Sequence, residues 1–259
     1  MDNKEKLKLE LEFEDDNKYY DDTDYITNSM LSLLNKSPQH LAMHFLGHRQ
    51  ESPALNFGKA FHTFVLEPEK WKDEVAVFTG KSKRGKDWTQ FQEDNNSKTI
   101  ISQSELQKIT GMRRRLCAPP VTWEFIENSD HEVVSVFEWD DSGILCKGKV
   151  DCLYTDENGR RILIDVKTTQ DASPTAFKRS AYKYGYHRQA SFYKEGFNAD
   201  EFWFAVIEKD SPYRTGLYKC SDEFLQNGRV EINNLMVLYR DYFIDEIYDV
   251  NDFHFNSEI

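Results

Sequence analysis

Along residues 161–167 (RILIDVK), apolar and polar positions alternate as they do in a strand with two unlike faces. Successive strand side chains point to opposite sides. Ile162, Ile164 and Val166 therefore share one face, and Leu163, Asp165 and Lys167 the other. The first face is ordinary core. The second ends in a carboxylate beside an ammonium, which a buried strand does not need for its stability. The preceding run, 144–154 (ILCKGKVDCLY), places Cys146, Gly148, Val150 and Cys152 on one face and Lys147, Lys149 and Asp151 on the other. A further strand pattern covers 132–139. Turn residues separate the three runs, Asp140 to Gly143 before the second and Asp156-Glu157-Asn158-Gly159 after it, which predicts a three-stranded meander.

Helical signals flank the meander. Thr27 and Ser29 open a short helix, and Ser37-Pro38 combines a cap residue with proline at the first helical position. Residues 54–66 (ALNFGKAFHTFVL) carry the 3.6-residue apolar period and stop before Pro68; residues 103–116 are amphipathic and end before Pro119-Pro120. After the meander, Asp171 or Ser173 caps a helix that has Pro174 at its start and runs to about Phe197. Strands at 201–208 and 213–220 and a helix over 221–242 complete the order. The expected fold is α/β: helix, three-strand meander, helix, strand, with a helix-rich N-terminal half, forming one domain over residues 25–259. Residues 1–24 are expected to be a flexible acidic leader, and the polar, aperiodic stretch 79–99 a loop or flap.

A chain of 259 residues with 39% hydrophobic and 14% aromatic residues can bury a real core. Its apolar runs are shorter than a membrane span and its first residues are too charged for a secretory signal, so a cytoplasmic protein is expected. Cys117, Cys146, Cys152 and Cys220 form no C-x-x-C pair, which argues for reduced thiols over a disulfide framework, zinc knuckle or iron–sulfur cluster. The net charge of −12 speaks against coating nucleic acid by bulk electrostatics. Acid concentrates at both ends of the chain, however, and basic clusters lie between them (Lys81, Lys83, Arg84, Lys86; Arg113–Arg115; Lys178 to Arg188). A local basic groove is compatible with that distribution.

If the short Asn158-Gly159 turn pairs its two strands, Asp151 lies on the face of Asp165 and Lys167. Two carboxylates beside a lysine suit a hard divalent cation such as Mg²⁺. The lysine could then orient a water or offset transition-state charge. A surface ladder of charge pairs is the competing reading. His62, one turn after Gly58 on the same helix face, is either a packing histidine or a ligand. Tyr182, Tyr186, Gln189 and Tyr193 fall at helical spacing on one stripe, where an amide among aromatics needs polar partners. Lys178, Arg179, Lys183 and Arg188 flank that stripe as candidate phosphate contacts, as do Lys147 and Lys149 on the strand.

The motif GKVD, thirteen residues, then DVK resembles the signature of the PD-(D/E)XK nuclease superfamily. QASFY (Gln189 to Tyr193) resembles the Q-x-x-x-Y motif of its RecB-like and RecE-like branches, and GKAFHTFVLEPEKW the helix that carries a metal-binding histidine there. SPQHL and WTQFQEDN are also similar to RecE-like (exonuclease VIII-like) phage and prophage exonucleases, related to the lambda-exonuclease branch. Val150 stands where the family often has proline. The four-cysteine cluster of some members is missing, and there is no helicase P-loop. The resemblance implies the restriction-endonuclease-like fold and a Mg²⁺-dependent exonuclease, with Mn²⁺ as substitute, that digests linear double-stranded DNA 5′ to 3′ and leaves 3′ tails for strand annealing. It implies His62, Asp151, Asp165 and the Val166 backbone carbonyl as metal ligands, and Asp151, Asp165, Lys167, Gln189 and Tyr193 as catalytic residues. It further implies a homo-oligomeric ring, trimer or tetramer, with basic clusters inside and acidic termini outside, and a single-strand annealing protein as partner in a bacterial host. A single-strand or flap-specific nuclease and a catalytically inactive DNA-binding relative remain as alternatives.

Overall fold

A computed structural model describes residues 3–48, 53–140 and 142–255. Four short helices come first: α1 (Asn3–Glu12), α2 (Asp16–Asp21), α3 (Asn28–Leu34) and α4 (Pro38–Phe45). The predicted caps are in place, with Thr27 Oγ1 accepting from the Met30 amide and Ser37 Oγ from that of His40. Then follow α5 (Pro53–Leu66), α6 (Trp71–Glu74), β1 (Val75–Phe78), α7 (Lys86–Asp94), β2 (Thr99–Ser102), α8 (Gln103–Leu116) and α9 (Pro120–Glu127). The meander is β3 (Asp130–Glu138), β4 (Leu145–Thr155) and β5 (Arg161–Thr169); Asp141 of the first turn lies outside the described residues. Beyond it lie α10 (Pro174–Lys183), α11 (Tyr186–Gly196), β6 (Glu201–Glu208), β7 (Thr215–Lys219) and α12 (Asp222–Tyr239).

The main sheet has the order β3-β4-β5-β6-β7, with β5 and β6 parallel and the other pairs antiparallel. Its two faces are legible in β5 and β6. Ile162, Ile164, Val166, Ala205 and Ile207 pack with α5 and α8, whereas Leu163, Phe202, Phe204 and Val206 pack with α10 and α11. A second cluster joins α3, α4 and α12 around Trp139 and Phe192. The mixed α/β architecture is the one expected.

Three expectations change. Residues 3–21 form two helices rather than a flexible leader (Met1 and Asp2 lie outside the described residues). Phe13 and Tyr19 are buried against Val134 and Val136, and Glu10 caps the Val136 amide of the edge strand β3. Edge strands are commonly protected by such covering elements. The stretch 79–99 holds a helix, α7, whose Trp88 and Phe91 pack on Phe78. The single helix expected over 171–197 is broken at Gly185. That residue has φ 70, and a side chain there would meet the Arg188 guanidinium at 2.7 Å. The stripe is broken with it: Tyr182 faces Phe224 and His187 on the α12 side.

Candidate active site

The β4–β5 ladder runs from Thr155↔Arg161 to Cys152↔Ile164 and goes no further, while β5 continues beside β6 as far as Thr169↔Glu208. Other groups therefore take the Val166 backbone on the β4 side. Asp151 Oδ2 accepts from the Val166 amide at 2.7 Å, and His62 Nε2 donates to the Val166 carbonyl at 2.8 Å. A carbonyl can only accept, so Nε2 carries a proton. His62 Nδ1 lies on the other side of the ring, 3.6 Å from Asp151 Oδ2.

The β3–β4 register runs from Asp130↔Leu153 to Glu138↔Leu145 and omits one pair, Glu132 with Asp151. Glu132 has φ 50, a left-handed conformation uncommon for glutamate. Ligand atoms of Glu132, Asp151 and His62 all lie within 4.8 Å of one another. Burial, reinforced by the charges of Asp151 and Glu67, pushes the Glu132 carboxyl up to about 9. Glu132 was not among the residues expected from the sequence. Its signal was available in the register: counting back through the turn at 140–143 sets it opposite Asp151.

Asp165 sits on the opposite face of β5 from Val166. Gln189 Nε2 donates to Asp165 Oδ1 at 2.8 Å, and Lys167 Nζ lies 2.7 Å from Oδ2 as an ion pair without hydrogen-bond alignment. Desolvation raises the Asp165 carboxyl to about 6, against the pull of Lys167 and with a push from Asp151. Burial alone would lower the Lys167 ammonium, but Asp165 and Asp151 outweigh it and raise its pKa. The ammonium also stands 4.8 Å over the Tyr186 ring. Tyr193 lies within hydrogen-bond reach of Gln189 and packs where a side chain on Gly148 would touch its ring at 3.1 Å. A side chain on Gly58 would meet open space, so that turn of α5 is not a close-approach point.

These donors suit a hard divalent cation. His62 Nδ1, Glu132 and Asp151 bring one imidazole and two carboxylates together, and Asp165 Oδ2 nearby is buried without a hydrogen bond.

The model of the PDDEXK-like domain of unknown function DUF3799 matches residues 27–243. The chain belongs to this family. Its fold is shared with a crystal structure described as a "putative exonuclease" from Eubacterium rectale, at TM-score 0.62 and 17% identity over 95% of both chains. A phage-related exonuclease from Haemophilus somnus 129PT superposes more loosely, at TM-score 0.33 and 16% identity over 80% of this chain and 94% of that one. No curated protein sequence matches the chain. Among the described residues, no helix is long and apolar enough to cross a membrane.

In this PDDEXK-like domain, the acidic and lysine positions of the motif converge with His62 and Gln189, but three of the expected DNA-contacting cations, Lys147, Lys149 and Arg188, are held elsewhere. Lys147 is fully buried. Its Nζ donates to the Asp22 carbonyl at 2.8 Å and lies 4.2 Å from the Phe13 ring centroid. Lys149 pairs with Asp16 of α2. The reason lies in β4: Val150 packs with the α11 side of the sheet and Cys152 with the α5 side, so its alternation shifts by one residue at Asp151. Both lysines thus face the N-terminal helices, which also sets part of the acidic N-terminus against the sheet rather than outward. Arg188, 2% exposed, is held by Asn28, Ser32 and Glu231 and ties α11 to α3 and α12. Lys178, Arg179 and Lys183 are exposed on α10.

Proposed function

We propose that the protein is a divalent-metal-dependent deoxyribonuclease that degrades linear double-stranded DNA from an end, using Mg²⁺ with Mn²⁺ as substitute. The observation that carries this reading is the convergence of His62, Glu132 and Asp151 on one point beside the Asp165–Lys167 pair. A cation held by His62, Glu132, Asp151 and Asp165 would supply Lewis acidity to the scissile phosphodiester and lower the pKa of an attacking water, while the Val166 carbonyl, also expected as a ligand, accepts from His62.

The protein's own groups have separable tasks. Gln189 fixes the rotamer of Asp165, and Tyr193 backs Gln189 from the sheet side. Lys167 is held as an ammonium by two carboxylates, which favours offsetting charge on the phosphate over removing a proton. Tyr186 covers that ammonium and limits its contact with water. Digestion 5′ to 3′, 3′ tails for recombination, a homo-oligomeric ring and an annealing partner belong to the same proposal and rest on the motif resemblance.

The test is incubation of the purified protein with end-labelled linear, nicked and circular duplexes, with and without Mg²⁺. Loss of label from linear duplex only, and only with metal, is the expected result. Equal attack on circles would overturn the end requirement. No cutting with either metal would overturn the nuclease assignment.

A further inference from the structure

Away from the metal-ligand cluster, a cleft of about 760 Å³ opens between the start of α8, the segment before α7 and the β6–β7 connection. Four lysines line it: Lys81, Lys83, Lys108 and Lys209. The cleft contains two carboxylates, and each is already engaged. Glu105 takes Lys83 at 2.9 Å, and Asp210 takes Lys108 at 2.6 Å. Among the described residues, Lys81 and Lys209 have no acidic partner. The cleft therefore carries a surplus of positive charge in a chain whose net charge is −12. An anion is what it lacks.

The cleft also adjoins the catalytic strand. Gln170, on its lining, follows Lys167 by three residues, about 10 Å along a strand. Phe57, also on the lining, precedes His62 by five residues on α5, about 7.5 Å of helix rise. The Lys209 amide donates to the Thr169 carbonyl at 3.0 Å, which ties this wall to the end of β5. The opposite wall is anchored as well, since Trp88 and Phe91 of α7 pack on Phe78 and Lys83 stands 5.8 Å over Trp88. Gln103 and Gln170 add amide donors that do not depend on charge.

We propose that this cleft holds the phosphodiester backbone of a single DNA strand adjacent to the nucleotide being cut, an assignment that rests on the nuclease reading above. Size selects one strand over two. The volume equals a cube roughly 9 Å on an edge, whereas the major groove of B-DNA alone is about 12 Å wide. Repeated negative charge selects a polynucleotide over a single small anion, because the four ammonium groups come from three separate chain segments. Grooves of this kind track a backbone by charge and tolerate any base sequence.

The test uses the full chain and a labelled oligodeoxythymidylate, with binding followed by fluorescence anisotropy in EDTA over a range of salt. Lys81→Glu/Lys209→Glu should bind at least tenfold more weakly than the parent. The slope of log K against log salt should fall by about 1.4, for two lost single-strand phosphate contacts at about 0.7 each. Lys8→Glu/Lys36→Glu, which makes the same charge change outside the cleft, should bind as the parent does. An unchanged affinity and slope in the cleft variant would overturn the proposal. So would an equal loss in the control pair, or a loss for blunt duplex with single-strand binding intact. Binding is read without metal, so its outcome is separate from cutting: a parent that cuts linear duplex while the cleft variant binds single strand normally refutes the cleft and spares the nuclease, and a parent that binds but never cuts does the reverse.

Discussion

Glu132 stands opposite Asp151 in the β3–β4 register, and theirs is the pair missing from that ladder. The backbone of Glu132 is left-handed, and its carboxylate joins the His62 imidazole and the Asp151 carboxylate instead of pointing along an ordinary strand face. A half-buried carboxylate cluster costs stability wherever no cation is bound, so the site is a place where folding and function pull in opposite directions.

That conflict gives the first prediction. The Glu132 carboxyl is raised to about 9 in the folded protein, above its unfolded value. The folded state thus binds the proton more tightly, and the metal-free protein loses stability as pH rises from the unfolded value through 9. Glu132→Gln removes this dependence. In EDTA at pH 8 its Tm should exceed the parent's, with the gap closing toward pH 5, while Mn²⁺ affinity and cutting both fall. A Tm below the parent's at pH 8 would show that Glu132 is held by unseen favourable contacts.

Lys167 gives the second. Its ammonium lies 2.7 Å from Asp165 and competes with a cation for that carboxylate. Lys167→Met should lower kcat about 10²–10³-fold, the usual loss for one positioned charge donor, while Mn²⁺ binding by calorimetry stays level or tightens. A parallel loss of metal affinity and rate would make Lys167 a structural counter-ion only.

The core of this arrangement was legible because it follows from local rules. Alternation put Asp165 and Lys167 on one strand face, and the Asn158-Gly159 turn put Asp151 beside them. What stayed hidden depends on local backbone departures from those rules. A left-handed glutamate looks like any strand residue in sequence. The one-residue shift at Asp151 sends Lys147 and Lys149 to the N-terminal helices, and nothing in their spacing announces it. Gly185 splits a helix whose stripe reads as continuous, since Arg188 needs the space over it. The leader looked unstructured because its few apolar residues, Phe13 and Tyr19 among them, bury themselves only against an edge strand distant in sequence.

The third prediction separates structural cations from DNA contacts. Arg188→Met removes one of the two partners of Glu231, which keeps His187 at 2.6 Å, and leaves Asn28 and Ser32 without their donor. It should cost about 2–4 kcal/mol in urea unfolding, below the figure for a fully buried pair because Glu231 keeps some solvent contact. Lys147→Met should also destabilise, by freeing α2 from β4. Neither should change the salt slope of DNA binding in the folded fraction. A slope reduced by about one unit would return either residue to the phosphate contacts.

The last prediction concerns protons and metal together. Two carboxyls of the site are raised when no cation is present, Glu132 to about 9 and Asp165 to about 6, both chiefly by burial. A divalent ion binds carboxylates in their ionised form, so it must displace whatever protons they hold. At pH 8 Asp165 is already ionised and Glu132 is still mostly protonated, and one proton should leave per ion bound. Near pH 6 Asp165 is half protonated, and the release should rise by about half a proton. Apparent Mn²⁺ affinity should therefore increase with pH from 6 to 9, with a slope near one in log units through the middle of that range. Titration calorimetry in buffers of different ionisation enthalpy measures the released protons directly. In Glu132→Gln the release at pH 8 should fall to near zero, although the ion still binds through His62, Asp151 and Asp165. Proton release that is the same in parent and variant would mean that Glu132 stays protonated beside the cation, and would remove it from the ligand set.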